Sequence, residues 1–202
     1  MAKNTLNLTK SNLLRARTLL LKTARLLDER NIPYHLEGGT LLGIVRDNDL
    51  LPWDHDVDIS IPSSYASEFR NLRSVLLWRG YKMSVRKSNK NVGPVKKGDY
   101  SVFKIKPVWS YIFSWFVPKH KSAIVLDVFV KTNDETFTYW QAMNKVMRVD
   151  KKYYQSFETI NYQGTTLKVP NHYKDFLTEK YGNWSIPVKD WNAGDHELTI
   201  MK

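Results

Sequence analysis

Three acidic residues alternate along one short stretch of the sequence. Asp54, Asp56 and Asp58 occupy positions i, i+2 and i+4 within 52–59. Side chains with this spacing share one face of a β-strand, so the pattern predicts three carboxylates along a single edge. Three negative charges this close repel one another unless a cation lies among them. Mg²⁺ or Mn²⁺ is the expected cation, because hard divalent ions prefer carboxylate oxygens and bridge them to substrate phosphates.

The alternative interpretation of these acids is a solvent-exposed acidic turn. Val57 and Ile59 alternate with the acids, which favours a half-buried strand over a turn. A calcium-binding EF-hand is disfavoured, because its central glycine and terminal glutamate are absent from this segment. Strand alternation places His55 on the opposite face, so we expect its ring to be packed rather than catalytic.

A fourth carboxylate lies in the middle of an apolar segment. Asp127 interrupts the run 123–130, which is otherwise rich in Val and Ile and predicts a buried strand. A buried carboxylate is costly unless it is paired or bound to a metal. It could equally be a strand-end Asp bonded to the backbone, but the Asp-x-Asp strand makes metal ligation the favoured interpretation. Asp127 is therefore a predicted ligand.

A glycine turn precedes the acidic strand. Gly38 and Gly39 separate a short predicted strand from a predicted helix that begins near Thr40. Glycines let backbone N–H groups approach a phosphate closely, and a helix N-terminus favours an anion. The sequence therefore predicts that these three residues hold substrate phosphates.

Basic residues near these motifs are further candidates. Arg46 could clamp a diphosphate with its planar guanidinium group, and the alternative is a surface ion pair with Asp47 or Asp49. Lys104 and Lys106 alternate with apolar residues, so they either line a groove or lie exposed on a strand.

The periodicity of apolar residues predicts a mixed α/β fold with helices packed against a small mixed sheet. We expect a single domain over 1–202. The predicted helices are 12–30, 40–45, 62–78 and 170–181. The predicted strands are 34–36, 53–61, 81–86, 100–105, 123–130, 136–139 and 165–169.

Charge is unevenly distributed along the chain. The formal net charge is +11, and residues 70–121 contain thirteen Lys and Arg but a single acid, Asp99. Such a segment attracts an anionic partner, although a solvated basic face would look the same. Within it, the aromatic run 108–117 suits core packing, a lid over the site or a membrane interface, so peripheral membrane contact through 104–121 is one prediction.

Other features limit the choice of protein class. The absence of cysteine excludes disulfides and thiolate zinc sites. We find no convincing targeting signal and no apolar stretch of the ~20 residues that a membrane span requires, so the predicted location is cytoplasmic, with contact at the inner face of the membrane.

These motifs together resemble the signature of the LicD family, which includes bacterial phosphocholine transferases and fukutin-related proteins. The resemblance is carried by Gly-Gly-Thr-Leu-Leu-Gly at 38–43, by Arg46, and by Pro-Trp-Asp-His-Asp-Val-Asp-Ile at 52–59. Leu-Asp-Val-Phe at 126–129 resembles the family's third carboxylate strand, and Tyr-Gly-Asn-Trp at 181–184 resembles its C-terminal signature. The resemblance implies a nucleotidyltransferase fold.

It also implies an activity. A family member would use Mg²⁺ or Mn²⁺ to transfer a phospho-alcohol such as phosphocholine from a CDP-alcohol donor to a glycan acceptor. The acceptor would belong to lipopolysaccharide or teichoic acid biosynthesis. Asp56, Asp58 and Asp127 would be catalytic, and Asp54 would bind a second metal or orient the ligands of the first.

Three alternatives stay open from the sequence. The same carboxylates would serve a nucleotidyltransferase that releases pyrophosphate from an NTP. The basic segment would also suit a nucleic-acid-binding protein, although no nucleic-acid module is recognisable and no nucleic acid is expected as a partner. An inactive scaffold is disfavoured, because the set of acids is intact.

Overall fold

The computed structural model describes residues 7–8, 11–109, 124–142, 144–188 and 196–201. Helices and strands alternate along much of this part of the chain. The helices are α1 (Ser11–Glu29), α2 (Gly38–Asp47), α3 (Ala66–Asn71), α4 (Arg73–Trp78) and α5 (Tyr173–Tyr181). The strands are β1 (His35–Leu36), β2 (Asp56–Pro62), β3 (Tyr81–Lys87), β4 (Tyr100–Pro107), β5 (Val125–Asn133), β6 (Phe137–Ala142), β7 (Lys145–Asp150), β8 (Phe157–Tyr162) and β9 (Thr165–Pro170).

The main sheet is mixed, as the sequence predicts. Its central strand order is β1-β2-β5-β4-β3, with β2 and β5 parallel and the other neighbours antiparallel. The C-terminal end of β5 pairs with β6, and β6 pairs with β7. Strands β8 and β9 form a separate antiparallel hairpin. The parallel pair β2–β5 lies in the middle of the sheet, flanked on both sides.

Strand alternation divides the sheet into an apolar face and a polar face. Val57, Ile59, Leu126 and Val128 are fully buried on one face of β2 and β5. Helix α1 contacts both strands and buries an apolar stripe that includes Leu20. This face is the hydrophobic core, so the intervening positions of the same strands are left to carry polar side chains.

One predicted helix is divided in the structure, and two observed strands were not predicted. The predicted helix 62–78 is divided, because Ser63–Tyr65 form a 3₁₀ turn and Leu72 separates α3 from α4. Strands β7 and β8 were not predicted, since charged and polar residues interrupt their apolar alternation. The prediction of a single domain over 1–202 stays a prediction.

The predicted membrane-contact segment lies mostly outside the described residues, because 110–123 are not described. Its described beginning includes Trp109, whose indole ring lies 5.6 Å from the Arg15 guanidinium carbon. Within the described residues, no helix is long and apolar enough to cross a bilayer. Whether the aromatic run packs in the core, covers the site or contacts a membrane stays a prediction.

Strand β1 carries a buried histidine at the edge of the core. The ring of His35 lies 4.6 Å from the ring of Tyr154 and 5.9 Å from that of Phe157, measured between centroids. Its Nδ1 lies 3.0 Å from the carbonyl oxygen of Leu36. Only 2% of His35 is exposed, so the imidazole has little access to water that would solvate a charge.

We expect His35 to make folding stability depend on pH. Burial lowers the pKa of His35 to about 4, with Glu37 opposing and Lys131 reinforcing the shift. In the unfolded chain the group titrates near ~6.5. As pH falls from about 6.5 to 4, the unfolded state binds a proton that the folded state does not, so stability decreases by about 3 kcal/mol. Urea unfolding of His35→Phe and the natural chain at several pH values measures this term. Parallel stability curves for the two proteins would show that His35 does not titrate as described.

Candidate active site

Strands β2 and β5 bring three carboxylates together on the polar face of the sheet. Asp58 lies directly opposite Asp127 in the parallel register, and Asp56 precedes Asp58 by two positions on the same face. Each of the three offers a carboxylate oxygen within 4.8 Å of the others. The register of one strand pair therefore joins residues that are about seventy positions apart in the sequence.

Within the described residues, the ammonium group of Lys104 pairs with one of these three carboxylates, which leaves most of their negative charge unbalanced. Burial and the neighbouring acids raise the pKa of Asp56 to about 7 and that of Asp58 well above its usual range. The Oδ2 atom of Asp127 accepts a hydrogen bond from the Lys104 ammonium group. Its Oδ1 atom is buried and has no hydrogen-bond partner in the described part of the chain. An oxygen-only donor set with an unpartnered buried oxygen fits a divalent ion such as Mg²⁺ or Mn²⁺.

Asp54 lies beside this cluster but outside its 4.8 Å group. Its Oδ1 atom accepts a hydrogen bond of 3.1 Å from the backbone N–H of His55. Strand β2 begins only at Asp56, so Asp54 and His55 lie before the strand. The prediction that alternation packs His55 on the far face is wrong for this reason, since its side chain is exposed and lines the cleft described below.

The glycine turn at the start of α2 lies directly against the acids. A Cβ atom added to Gly38 would meet Asp58 Oδ2 at 2.6 Å, and one added to Gly39 would meet Asp54 Oδ2 at 2.1 Å. Both distances are shorter than real Cβ contacts, so a side chain at either position would have to displace the carboxylate that faces it. Gly38 also has a φ of +56°, which disfavours a residue with a side chain.

Thr40 has a different position from the one that the sequence predicts. Its side chain is buried, and its Oγ1 atom accepts a hydrogen bond of 2.8 Å from the backbone N–H of Asp58. The backbone N–H of Glu37 donates to the carbonyl oxygen of Asp58 at 3.1 Å. Thr40 therefore fixes the acidic strand from behind and does not line the cleft, because α2 turns its hydroxyl towards β2.

We expect Gly38→Ala to disrupt the site through contact as well as strain. The new methyl group would displace the Asp58 carboxylate, which should lower Mg²⁺ affinity about tenfold or more in addition to a backbone cost of about 1–2 kcal/mol. Gly164→Ala is the matched control, because Gly164 has a φ of +73° and nothing within 4 Å of its added Cβ. The measurement is the Mg²⁺-induced shift in melting temperature. Equal shifts for both variants would contradict the close approach of Gly38 to the acids.

The acids open into a cleft of about 1210 Å³. Such a volume exceeds the roughly 300–1,000 Å³ of most small-molecule pockets, so it has room for two substrates. The cleft is lined towards β2 by Trp53, Trp184 and Ile186, and towards β3 and β4 by basic residues that include Arg86 and Lys104. The carboxylates lie between an aromatic side and a basic side.

Arg46 lies on the aromatic side of the cleft. Its Nε and Nη2 atoms each donate to an oxygen of Asp47 at 2.8 Å, which is one of the ion pairs that the sequence left open. Its guanidinium carbon lies 5.9 Å from the ring centroid of Trp53, and Nη1 lies 3.5 Å from the carbonyl oxygen of Trp184. Asp49 is held instead by Arg17.

A buried ionic network lies behind the glycine turn. Glu37 is 1% exposed, forms an ion pair with Lys131 Nζ at 2.9 Å, and accepts a hydrogen bond from Lys180 Nζ at 3.2 Å. Lys180 also bonds Glu197 at 2.8 Å. Burial alone would raise the pKa of Glu37, but the two lysines outweigh it and lower the pKa. Burial lowers the pKa of Lys131 to about 7, although Glu37 opposes the shift.

This buried network was not predicted from the sequence. Glu37 stands next to the predicted phosphate turn, which is the one local signal that it belongs to the site. Its partners Lys131 and Lys180 come from β5 and α5, and Glu197 of the C-terminal segment bonds Lys180, so only the fold brings the network together. Glu37 and Lys180 also line the cleft, which places the network at the back of the carboxylate site.

The mixed sheet, the carboxylates of its parallel pair and the adjoining glycine turn define a nucleotidyltransferase-type domain. The sequence model described as "LicD/FKTN/FKRP, nucleotidyltransferase domain" matches residues 31–172, and the chain belongs to this family. This match confirms the family and the fold class that the sequence predicts.

Individual proteins are also similar to the chain. It is 27% identical over 176 residues to the human protein named ribitol 5-phosphate transferase FKRP, and 25% identical over 172 residues to the mouse protein of that name. Each alignment covers 81% of this chain and 31% of the relative, so the chain spans about a third of these relatives' length. The crystal structure of the lincosamide antibiotic adenylyltransferase LnuA aligns over 85% of both chains, with 16% identity and a TM-score of 0.46.

Proposed function

We propose that the chain is a metal-dependent phosphotransferase. It would move a phospho-alcohol, such as phosphocholine or ribitol phosphate, from a CDP-activated donor to a hydroxyl group of a cell-surface glycan. The observation that carries this proposal is the group formed by Asp56, Asp58 and Asp127, which faces a glycine turn inside a cleft large enough for two substrates. The names of the human and mouse relatives support a phospho-alcohol as the transferred group.

The carboxylates have distinct roles in this proposal. When bound, the divalent ion held by Asp56, Asp58 and Asp127 neutralises negative charge on the diphosphate and on its leaving group. Asp127 accepts the proton of the attacking hydroxyl. Lys104 pairs with the Oδ2 atom of Asp127 and thereby fixes the carboxylate plane. Asp54 orients the beginning of the acidic strand.

The donor diphosphate would lie between the glycine turn and Arg46. The backbone of Gly38 and Gly39 approaches the phosphates at the start of α2, where exposed N–H groups favour anions. Arg46 contributes a planar pair of donors once the diphosphate replaces Asp47 as its partner. Trp53 lies beside this guanidinium group and offers a flat surface next to the phosphates.

The second candidate function is transfer of a nucleotide from an NTP with release of pyrophosphate. The nucleotidyltransferase-type fold and its shared carboxylate arrangement favour this candidate. The two functions differ in which phosphorus atom the acceptor hydroxyl attacks, so their products separate them.

The release of CMP tests the proposal. The protein is mixed with Mg²⁺, a crude surface glycan, and CDP-choline, CDP-ethanolamine, CDP-ribitol or CDP-glycerol in turn. We expect CMP from at least one donor, lost with EDTA and in Asp56→Ala and Asp58→Ala. Asp175→Ala is the matched control, because Asp175 is an exposed acid on α5 and should leave the rate unchanged. Absence of metal-dependent CMP from every donor would overturn the proposal.

A further inference from the structure

Two large apolar side chains are exposed at the end of α4. Leu77 is 56% exposed and Trp78 is 91% exposed, the highest value among the large apolar side chains of the described residues. The packing of α4 does not use them, because Leu76 already fills the core position at this end of the helix. An indole ring beside an exposed aliphatic side chain is unfavourable in water, so the end of α4 is suited to contact with another apolar phase.

Cations surround these two side chains. Arg73 precedes Leu77 by one helical turn, so both lie on the same side of α4. A depression of about 440 Å³ lies where α3 and α4 meet the outer strand β3, and it is lined by Arg70, Arg73, Lys82 and Lys87. None of its lining residues is acidic. An exposed apolar helix end and a basic depression therefore adjoin at one edge of the sheet.

Few acids balance these cations. Residues 70–98 contain nine Lys and Arg and no acid. Within the described residues, the side chains of Arg70 and Arg73 form no ion pair. Arg79 forms one with Glu29 at 3.5 Å, and both side chains are about half exposed. The electrostatic potential around the end of α4 is therefore positive.

A second exposed indole lies close to the end of α4. Trp109 is 42% exposed and follows the last residues of β4. The backbone N–H of Val108 donates to the carbonyl oxygen of Gly80 at 2.8 Å, and Gly80 comes two residues after Trp78. The segment 104–121, which the sequence predicts to contact a membrane, therefore passes this same end of the sheet.

We propose that the α4 surface, formed by Arg70, Arg73, Leu77, Trp78 and Lys82, docks the protein on a membrane that contains anionic phospholipids. The side chains of Leu77 and Trp78 enter the region between headgroups and acyl chains, which indole rings prefer. Arg70 and Arg73 bind headgroup phosphates in the depression. Because one weak anchor gives only marginal membrane binding, both the apolar and the basic parts are needed. Docking does not depend on the reaction assigned to the cleft.

The chemistry of this surface favours a membrane over other anionic partners. A folded protein would bury roughly 800 Å² on each side around a largely apolar centre. Leu77 and Trp78 are the only large apolar side chains exposed on α3, α4 and β3, so such a centre is absent from these elements. Sequence-independent binding of single-stranded nucleic acid relies on several aromatic platforms, and an exposed leucine adds nothing to base stacking.

Docking through the α4 surface leaves the carboxylate cleft open. Helix α4 contacts β3, and Lys87 lines both the depression and the cleft. Strand order places β5, β4 and β3 next to one another, so the outer strand lies two strand spacings, about 10 Å, from Asp127. The docked protein therefore holds its cleft beside the membrane surface.

Vesicle sedimentation tests the inference without donor, acceptor or metal. The protein is mixed in EDTA with vesicles of phosphatidylcholine alone or with roughly one-third phosphatidylglycerol. We expect the natural chain to bind the anionic vesicles and to bind the neutral ones about tenfold more weakly. The variants Leu77→Ser/Trp78→Ser and Arg70→Gln/Arg73→Gln should each weaken binding to the anionic vesicles about tenfold. Because these residues are exposed, neither variant should change the melting temperature.

Two control variants are matched to these changes. Leu198→Ser removes a large apolar side chain that is also mostly exposed, but from the C-terminal segment. Lys152→Gln/Lys174→Gln removes two exposed cations that line neither the depression nor the cleft. Each control should change vesicle affinity less than twofold.

Insertion of Trp78 has its own measurement. Phospholipids with brominated acyl chains quench a tryptophan that enters the bilayer, so they should quench the fluorescence of the natural chain more than that of Trp78→Phe. Equal quenching would overturn the inference. So would unchanged vesicle affinity in Leu77→Ser/Trp78→Ser, which would mean that net charge alone attracts the protein. Single-stranded RNA that binds as tightly as the vesicles, with the same dependence on Leu77 and Trp78, would also overturn it.

Discussion

Replacing Asp58 by Asn is expected to abolish transfer and at the same time to stabilise the metal-free protein. Burial and the neighbouring charges of Asp56 and Asp127 raise the pKa of Asp58 well above its usual range. Removal of a carboxylate that helps to hold the divalent ion should reduce the rate about 10³-fold or more. Without the ion, the charged carboxylate destabilises the fold, so Asn should add about 1–3 kcal/mol at pH 8.

The sign of this stability change depends on pH and on metal. A carboxyl group whose pKa is raised by folding destabilises the protein where the group is ionised in the unfolded chain, and this cost vanishes as pH falls below about 4. Asp58→Asn should therefore stabilise the metal-free protein at pH 8, have little effect near pH 4, and abolish the stabilisation by Mg²⁺. Thermal unfolding with EDTA and with Mg²⁺ measures all three. Asp175→Asn is the control. A fall in the metal-free stability of Asp58→Asn at pH 8 would contradict the inference that the negative charge of the cluster is unbalanced.

Of the substitutions proposed, Glu37→Gln is expected to cause the largest loss of folding stability. Glu37 is the common partner of Lys131 and Lys180, all three being less than 5% exposed. A buried ion pair that loses one partner leaves an uncompensated charge, which costs about 3–5 kcal/mol. Loss of the Glu37 carboxylate should also shift the glycine turn relative to the acids, because the backbone N–H of Glu37 donates to the carbonyl oxygen of Asp58. Chemical denaturation measures the first effect, and the Mg²⁺-induced melting shift measures the second.

Two further variants separate this buried network from ordinary surface charge. Glu29 forms an ion pair of 3.5 Å with Arg79 at half-exposed positions, so Glu29→Gln should cost less than about 1 kcal/mol. Adding Lys131→Met to Glu37→Gln removes one of the two cations left behind and should restore part of the lost stability. Equal costs for Glu37→Gln and Glu29→Gln would contradict a network excluded from solvent.

The carboxylate cluster was predictable because alternation along a strand is a local signal. Asp56 and Asp58 share a face whenever their segment is a strand, and an acid in an apolar strand, such as Asp127, indicates a second strand at the same site. The Gly-Gly turn and the family resemblance led to the prediction that substrate phosphates bind beside these acids. Family and fold were therefore accessible from the sequence, and the family match confirms both.

Other parts of the site were not accessible, because they depend on contacts between distant segments. Lys180 meets Glu37, and Glu197 meets Lys180, only after α5 and the C-terminal segment have folded against the glycine turn. His55 was placed wrongly because the start of β2 at Asp56 depends on its pairing with Val125 in β5. Arg46 forms the ion pair with Asp47, one of the two that the sequence left as alternatives to a diphosphate clamp, and the clamp stays a prediction.

The identity of the transferred group tests the central claim most directly. The protein is given Mg²⁺, an acceptor oligomer, CDP-ribitol and CTP together, and the mass of the acceptor product is determined. The proposed function predicts a mass gain of one ribitol phosphate with CMP as the second product, lost when EDTA is added or when Asp58 is replaced by Asn. A mass gain of one cytidine monophosphate with release of pyrophosphate would contradict it and would establish nucleotide transfer instead.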